Sequence, residues 1–161
     1  MRKTLMTVIT DVAPGRSDQL LGVLEKISAD PAGNPLLPLA TLPGLHFASL
    51  MVFDDETHGP KLLFEADVDG SARRWLATLV AEVPEGLEAV YRNCTGFPGA
   101  GGSAEVEAYL RARVVRPHAV RTRRMAPGLL KRRTVAYAGL VGDVTSSSRT
   151  RRASRRGATK V

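Results

Sequence analysis

Residues 45–70, LHFASLMVFDDETHGPKLLFEADVDG, contain two segments of alternating side chains separated by a polar loop. In residues 45–53 the odd-numbered positions share one face of a strand and the even-numbered positions share the other. Both sets are largely apolar, which predicts a strand that is buried on both sides. Residues 61–68 show the same period of two. The stretch therefore predicts an antiparallel β-hairpin.

The segments on either side of this hairpin predict the rest of an α+β domain. A β-branched, alternating segment comes first, and apolar residues at helical spacing follow it and recur after the hairpin. The order β-α-β-β-α-β predicts a ferredoxin-like antiparallel sheet with helices on one face, over residues 1–128. The predicted flanking elements are a strand at 5–12, a helix from Ser17 to about Ala29, a helix after Ser71, a short helix at 87–94, a helix at 104–114 and a last strand at 115–125.

The loop at 30–44, DPAGNPLLPLATLPG, holds four prolines and four leucines. A polar linker would not need those leucines. We therefore expect the loop to lie either on the domain or over the mouth of a pocket. Asp69 and Ser71 are the candidate caps of the helix that follows the hairpin.

Charge divides the chain into two parts. Residues 1–110 carry 8 Lys+Arg and 15 Asp+Glu, a net charge of −7, whereas residues 111–161 carry 15 Lys+Arg and only Asp143 as an acid, a net charge of +14. Ser, Thr, Arg, Ala and Gly dominate the sequence after Val141, so no core is expected there. Residues 129–161 are predicted to be a basic, largely disordered tail.

Composition limits the location and the chemistry. Cys94 is the single cysteine, which excludes an internal disulfide and fits a reducing cytoplasm. No apolar run approaches the roughly 20 residues of a membrane-spanning helix. The segment after Met1 reads as a strand and not as an export signal. We expect a cytoplasmic protein without a membrane span.

Several short segments also resemble a group of bacterial proteins. They are LHFA at 45–48 through FDD at 53–55, LLFE at 62–65 with DVDG at 67–70, and GLEAVY at 86–91 with CTGFP at 94–98. The group belongs to the dimeric α+β barrel superfamily, which includes dye-decolorising peroxidases, chlorite dismutases and antibiotic-biosynthesis monooxygenases. The resemblance spans about residues 4–128. It implies a homodimer built through the sheet, a small-molecule ligand and an oxidoreductase activity of the haem-linked peroxidase or monooxygenase type.

Two histidines are candidate haem ligands. His46 lies inside a predicted strand, where it is either an axial ligand or a strand histidine with a satisfied hydrogen bond. His118 lies on the predicted last strand, and the resemblance places a proximal histidine on a C-terminal element, so His118 is the better candidate. Asp11 ends the first strand, where it could act as a base or stabilise the turn.

Residues His46, Met51 and Phe64 are predicted to line the ligand pocket. Other candidates have simpler structural explanations. Cys94 is expected to be a buried thiol, since a reactive one would need a cationic neighbour. The acids Asp54, Asp55, Asp67 and Asp69 match no metal-binding loop, so no metal site is predicted.

The basic tail supports a competing function. Its arginines could bind the phosphates of nucleic acid or of another polyanion, in a salt-dependent and sequence-independent way. The alternatives are a merely solvated tail, a tail that lies on its own acidic domain, and the translation of a shifted reading frame. The predicted polyanion-binding residues are Arg151, Arg152, Arg155 and Arg156.

Overall fold

The structure, a computed structural model, describes residues 3–31, 33–99, 101–115 and 140–141. The strands are β1 (Lys3–Asp11), β2 (Leu45–Asp55), β3 (Gly59–Asp69), β4 (Val114–Val115) and β5 (Leu140–Val141), and the helices are α1 (Ser17–Ala29), α2 (Ala72–Glu82), α3 (Pro84–Tyr91) and α4 (Ser103–Arg111). The predicted α+β class is confirmed.

Four antiparallel strands form the sheet in the order β4-β1-β3-β2, and β5 adds to the outer edge of β2 in parallel. The central strand β3 pairs with β1 along its length, from Lys3 opposite Asp69 to Asp11 opposite Lys61. The β2–β3 hairpin is longer than predicted, because its strands extend through Asp55 and from Gly59. The predicted last strand at 115–125 is described only at its start, as β4.

One face of the sheet is buried under the helices. Its strand residues and the buried residues of all four helices belong to a single hydrophobic core. The predicted burial of β2 is complete on one side only, because Phe47, Met51 and Phe53 on its other face stay partly exposed. This open face is the starting point for the site described below.

The leucine-rich loop before β2 packs into the core. Leu37, Leu39 and Leu42 are each at most 3 % exposed, and a short 3-10 helix, Leu39–Thr41, spans the middle of the loop. The side chain of Asn34 holds the entry to this segment, since its Oδ1 accepts hydrogen bonds from the backbone N–H groups of Leu36 (2.9 Å) and Leu37 (3.1 Å). Of the two expected positions for this loop, the structure shows packing on the domain.

Candidate functional site

The open face of the sheet is a set of rows that run across three strands. In an antiparallel sheet, directly paired residues project to the same face. The odd-numbered residues of β1 pair with those of β3, which pair with those of β2. From one end of the face to the other, the rows are Asp11–Lys61–Phe53, Ile9–Leu63–Met51, Thr7–Glu65–Ser49 and Leu5–Asp67–Phe47.

The middle row is polar. Thr7, Glu65 and Ser49 lie side by side on β1, β3 and β2, and the carboxyl-bearing side chain is the central one. Ser49 is only 3 % exposed. Glu65 is half-buried and, among the described residues, makes no ion pair. This row therefore places one half-buried carboxylate between two hydroxyl-bearing side chains.

The rows beside it are mostly apolar. Ile9, Leu63 and Met51 form one of them, and Leu5 and Phe47 flank Asp67 in the other. None of these apolar side chains belongs to the core or to the partly buried hydrophobic residues that pack against it. Six of the twelve residues in the four rows are apolar, so the open face combines apolar side chains with charged and hydroxyl-bearing ones.

Only one of the two carboxylate oxygens of Asp67 has a partner among the described residues. Its Oδ2 atom lies 3.9 Å from Nζ of Lys3, while its Oδ1 atom is buried without a hydrogen-bond partner among the described residues. A buried carboxylate oxygen without a partner costs free energy. Asp67 therefore adds a second carboxylate with spare hydrogen-bonding capacity to the face.

His46 forms a pair with Asp69 at one end of the sheet. A bulge in β2 between Leu45 and Phe47 takes His46 out of the regular register, and its Nε2 lies 2.9 Å from Oδ1 of Asp69. Of the two interpretations of His46, the structure shows the histidine with a satisfied hydrogen bond.

The prediction that Asp69 caps the next helix is wrong. Ser71 caps α2, where its hydroxyl accepts a hydrogen bond from the N–H of Arg74 (3.3 Å).

Asp11 lies at the opposite end of the sheet. Its carboxylate forms an ion pair and a hydrogen bond with Nζ of Lys61, its neighbour across the strands. The side chain of Asp11 is 61 % exposed. The backbone carbonyl oxygen of Asp11 accepts a hydrogen bond from the N–H of Thr95 (2.8 Å), which joins the end of β1 to the segment after α3.

The structure does not bring the predicted pocket residues together. Met51 is on the open face, whereas Phe64 is 3 % exposed on the helix-covered face, with its ring 6.3 Å from that of Trp75. His46 is at the bulge. Phe64 instead borders a cavity of about 10 Å³ among Leu37, Leu50, Leu79, Leu87, Val90 and Tyr91, which offers room for roughly one water molecule.

A groove of about 260 Å³ lies on the helical side of the domain. It runs between the end of α2, the start of α3 and the link to α4. Its walls are both apolar and acidic, with Phe97, Val106, Glu85 and Glu88 among them. Glu88 is already paired with Arg92, at 3.3 Å.

Cys94 lies in a buried cluster where β1 meets the link after α3. Burial raises the pKa of its thiol, although a hydrogen bond from the Thr10 hydroxyl (3.3 Å) and the nearby Arg113 act in the opposite direction. The cationic neighbour of the thiol is Arg113. A thiol with a raised pKa is a poor nucleophile at neutral pH, in agreement with the expected buried structural role.

Aromatic rings complete that cluster. Tyr91 is 1 % exposed, its hydroxyl has no partner among the described residues, and burial raises its pKa well above the usual value. Burial raises the pKa of Tyr109 to about 12. The guanidinium of Arg113 lies 3.6 Å from the centre of the Tyr109 ring. These groups hold the end of β1 against α3 and α4.

The remaining candidates lie outside the described residues. They are His118 and the arginines Arg151, Arg152, Arg155 and Arg156. Within the described ranges, no three His, Cys, Asp or Glu side chains come close enough to hold a metal ion, and no helix is long and apolar enough to cross a membrane.

Comparison with known proteins adds no relative to this picture. No protein-family model, curated protein or solved structure matches the chain significantly. The site must therefore be assessed from its own geometry.

Sequence reasoning missed the polar row as a unit. Alternation places Glu65 on the face of β3 opposite Phe64. It does not show that Thr7 and Ser49 lie next to Glu65, because that depends on the register between strands. The available signal was a glutamate in the middle of an otherwise apolar hairpin.

Proposed function

We propose that the chain is a small-molecule-binding protein of the dimeric α+β barrel type, a homodimer in which two sheets face each other over the ligand. The strand order β4-β1-β3-β2 in the sheet, and the order of strands and helices along the chain, support a ferredoxin-like fold. The sequence resemblance at 45–70 and 86–98 supports the superfamily.

The observation that carries this proposal is the open face. Six apolar side chains, Leu5, Ile9, Phe47, Met51, Phe53 and Leu63, project from one side of the sheet, away from the core that contains the buried residues of every helix. Apolar side chains on a sheet face that none of the described helices covers favour association with another layer. A second copy supplies an identical face, as twofold symmetry requires.

The substitution Leu63→Glu tests the homodimer. Because Leu63 is on the central strand and only half-buried, the protomer should still fold, but each copy would bring a carboxylate into an apolar interface. We expect the dimer Kd to rise at least about 100-fold, equivalent to about 3 kcal/mol. Sedimentation velocity over a concentration series measures this change.

The matched control is Ala77→Glu, which adds the same charge at an exposed position of α2. It should leave the dimer intact, and circular dichroism should show the same fold in both variants. A wild-type protein that stays monomeric at all concentrations would contradict the proposal. So would a Leu63→Glu variant that dimerises as tightly as the wild type.

Haem, the cofactor that the resemblance implies, does not fit the described residues. Nε2 of His46 is already bonded to Asp69, and three carboxylates of β3 lie on the open face, where they would repel haem propionates. The apolar cavity beside Phe64 is too small for a porphyrin. Ligation by His118, and with it an oxidoreductase activity, stays a prediction on residues outside the described ranges.

Polyanion binding is the second candidate function, and the charge division favours it. Residues 111–161 carry a net charge of +14, enough to attract the phosphates of any nucleic acid. We expect the full chain to retain duplex DNA at low salt and to release it as salt rises. Deletion of residues 142–161 should abolish retention in a filter-binding assay. DNA retention that does not change with salt or with the deletion would contradict this function.

A further inference from the structure

We propose that the groove between α2, α3 and the link to α4 binds the arginine-rich segment 149–156 of its own chain. This inference goes beyond both proposed functions, because neither of them uses the groove. Three features of the groove identify its occupant: its charge, its aromatic wall and its distance from the last described residue of the chain.

Three carboxylates surround the groove. Glu85 and Glu88 line it from α3, and the carboxylate of Glu105 in α4 lies against Gly101, which also lines it. Glu88 is paired with Arg92 at 3.3 Å, whereas Glu85 and Glu105 are exposed and form no ion pair with any described residue. The groove therefore favours a cationic occupant and disfavours a phosphate or carboxylate ligand.

An aromatic ring forms part of the apolar wall of the groove. Phe97 is half-buried, and its ring packs edge-on against Tyr109, with ring centres 5.4 Å apart. Val80 and Val106 add apolar surface to the groove. A guanidinium group stacks on an aromatic ring and donates hydrogen bonds to carboxylates in its own plane, which an ammonium group cannot do. Arginine, which also has an apolar stem, therefore matches these walls better than lysine.

The segment 149–156, RTRRASRR, has the matching composition. Five of its eight residues are arginines, and none is acidic. The groove volume of about 260 Å³ is below the roughly 300–1,000 Å³ of a typical small-molecule pocket. A few side chains of a docked segment therefore suit the groove better than an enclosed small molecule.

The described chain ends near the groove. Val141 pairs with Phe53 at the outer edge of β2, and Phe53 is in the row across the sheet that ends at Asp11. The carbonyl oxygen of Asp11 is bonded to the N–H of Thr95, and Phe97 in the groove wall follows two residues later. Three strand spacings and the short link add up to a path of about 27 Å from Val141 to Phe97.

The arginines are within reach of this path. Arg149 lies eight residues after Val141 and Arg156 lies fifteen residues after it, so an extended chain spans up to roughly 26 Å and 50 Å. A groove on the same molecule meets the segment at an effective concentration in the millimolar range. Ion pairs that are individually weak at an exposed site are then enough for docking.

Docking also affects the same arginines that are the candidate polyanion-binding residues. A segment held by the groove is withheld from nucleic acid until a polyanion competes with the groove carboxylates. The experiment below contains no nucleic acid, so its result is independent of the polyanion-binding function.

The test is limited trypsinolysis of the full chain at about 20 mM NaCl, where exposed charges are weakly screened. Mass spectrometry measures the rate of cleavage after Arg151, Arg152 and Arg155. A trace of a synthetic peptide of residues 145–161 reports the activity of trypsin in each sample. Because cleavage follows the undocked population, Glu85→Gln/Glu105→Gln should accelerate cleavage about fivefold, the effect of roughly two exposed ion pairs.

The matched control is Asp18→Asn/Glu25→Gln, at two exposed positions of α1 that do not line the groove. It makes the same change in net charge and should leave the cleavage rate unchanged. Circular dichroism should show the same fold in both variants. Equal acceleration by the two variants would mean that the segment responds to the overall charge of the domain, and the groove would be rejected as its site.

Two further outcomes would overturn the proposal. One is a wild-type cleavage rate that equals the rate in Glu85→Gln/Glu105→Gln. The other is protection that increases with protein concentration, because the segment would then dock on another copy of the chain. Protection that is independent of protein concentration and is lost at about 0.5 M NaCl supports docking in the groove of the same chain.

Discussion

Replacement of Gly86 by alanine is expected to destabilise the protein by about 3 kcal/mol, near the upper end of the usual cost of overpacking. Gly86 is in the first turn of α3, and the leucine-rich loop crosses directly over it. A Cβ atom at Gly86 would lie 1.9 Å from the carbonyl oxygen of Leu36. Because that neighbour is backbone, a side-chain rotation cannot relieve the clash, so either α3 or the loop must move.

The measurement is urea denaturation, followed by circular dichroism and by the fluorescence of Trp75, the single tryptophan. Trp75 is 4 % exposed, and its indole N–H donates to the carbonyl oxygen of Pro43 (3.1 Å), so it reports on the same loop. The matched control is Gly22→Ala in α1, where a Cβ would meet nothing within 4 Å. That variant should gain roughly 0.5–1 kcal/mol, because alanine favours the helix over glycine. Equal effects of the two substitutions would contradict the packing of the loop on α3.

The leucine-rich loop shows what composition alone can predict about a loop and what it cannot. Four leucines between prolines correctly predict that the loop is not a free linker. They do not indicate its position, which depends on contacts distant in sequence. The Asn34 side chain and the close approach of Leu36 to Gly86 determine it. Gly86 lies in the first turn of α3, and its lack of a side chain permits the close packing of the loop on that helix.

The sheet was predictable because its signal is local. A period of two is visible in each strand separately, and the hairpin loop connects neighbours. The end of the last predicted helix was less accurate, since α4 ends at Arg111 and Val114 already belongs to β4. Val114 fits a strand as well as a helix, and its pairing with Val8 decides between them.

The site was less predictable, because it depends on the register between strands. Alternation shows which residues of one strand share a face, but not which face of the next strand lies beside them. The sequence pattern therefore places Met51 and Phe64 in one pocket, although they project to opposite sides of the sheet. The bulge that places His46 beside Asp69 has no sequence signal of its own.

The substitutions Phe64→Ala and Met51→Ala should consequently have very different effects. Phe64 is 3 % exposed, contacts Trp75 and already borders a small cavity, so its truncation would enlarge an empty space in the core. We expect a loss of about 3–4 kcal/mol in the free energy of unfolding. Met51 is half-buried on the open face, so the same truncation should cost less than about 1 kcal/mol in the monomer.

The effects of the two substitutions on the dimer Kd should be in the opposite order to their effects on monomer stability. Met51 is in the row beside Glu65, at the proposed interface, so its truncation should weaken the dimer, whereas Phe64→Ala should change the dimer Kd little under conditions where the variant remains folded. Urea denaturation at low protein concentration gives the first quantity, and sedimentation velocity gives the second. Similar losses of monomer stability in both variants would mean that the two faces of the sheet are equally buried, and the open face would then no longer be available for a second copy or a ligand.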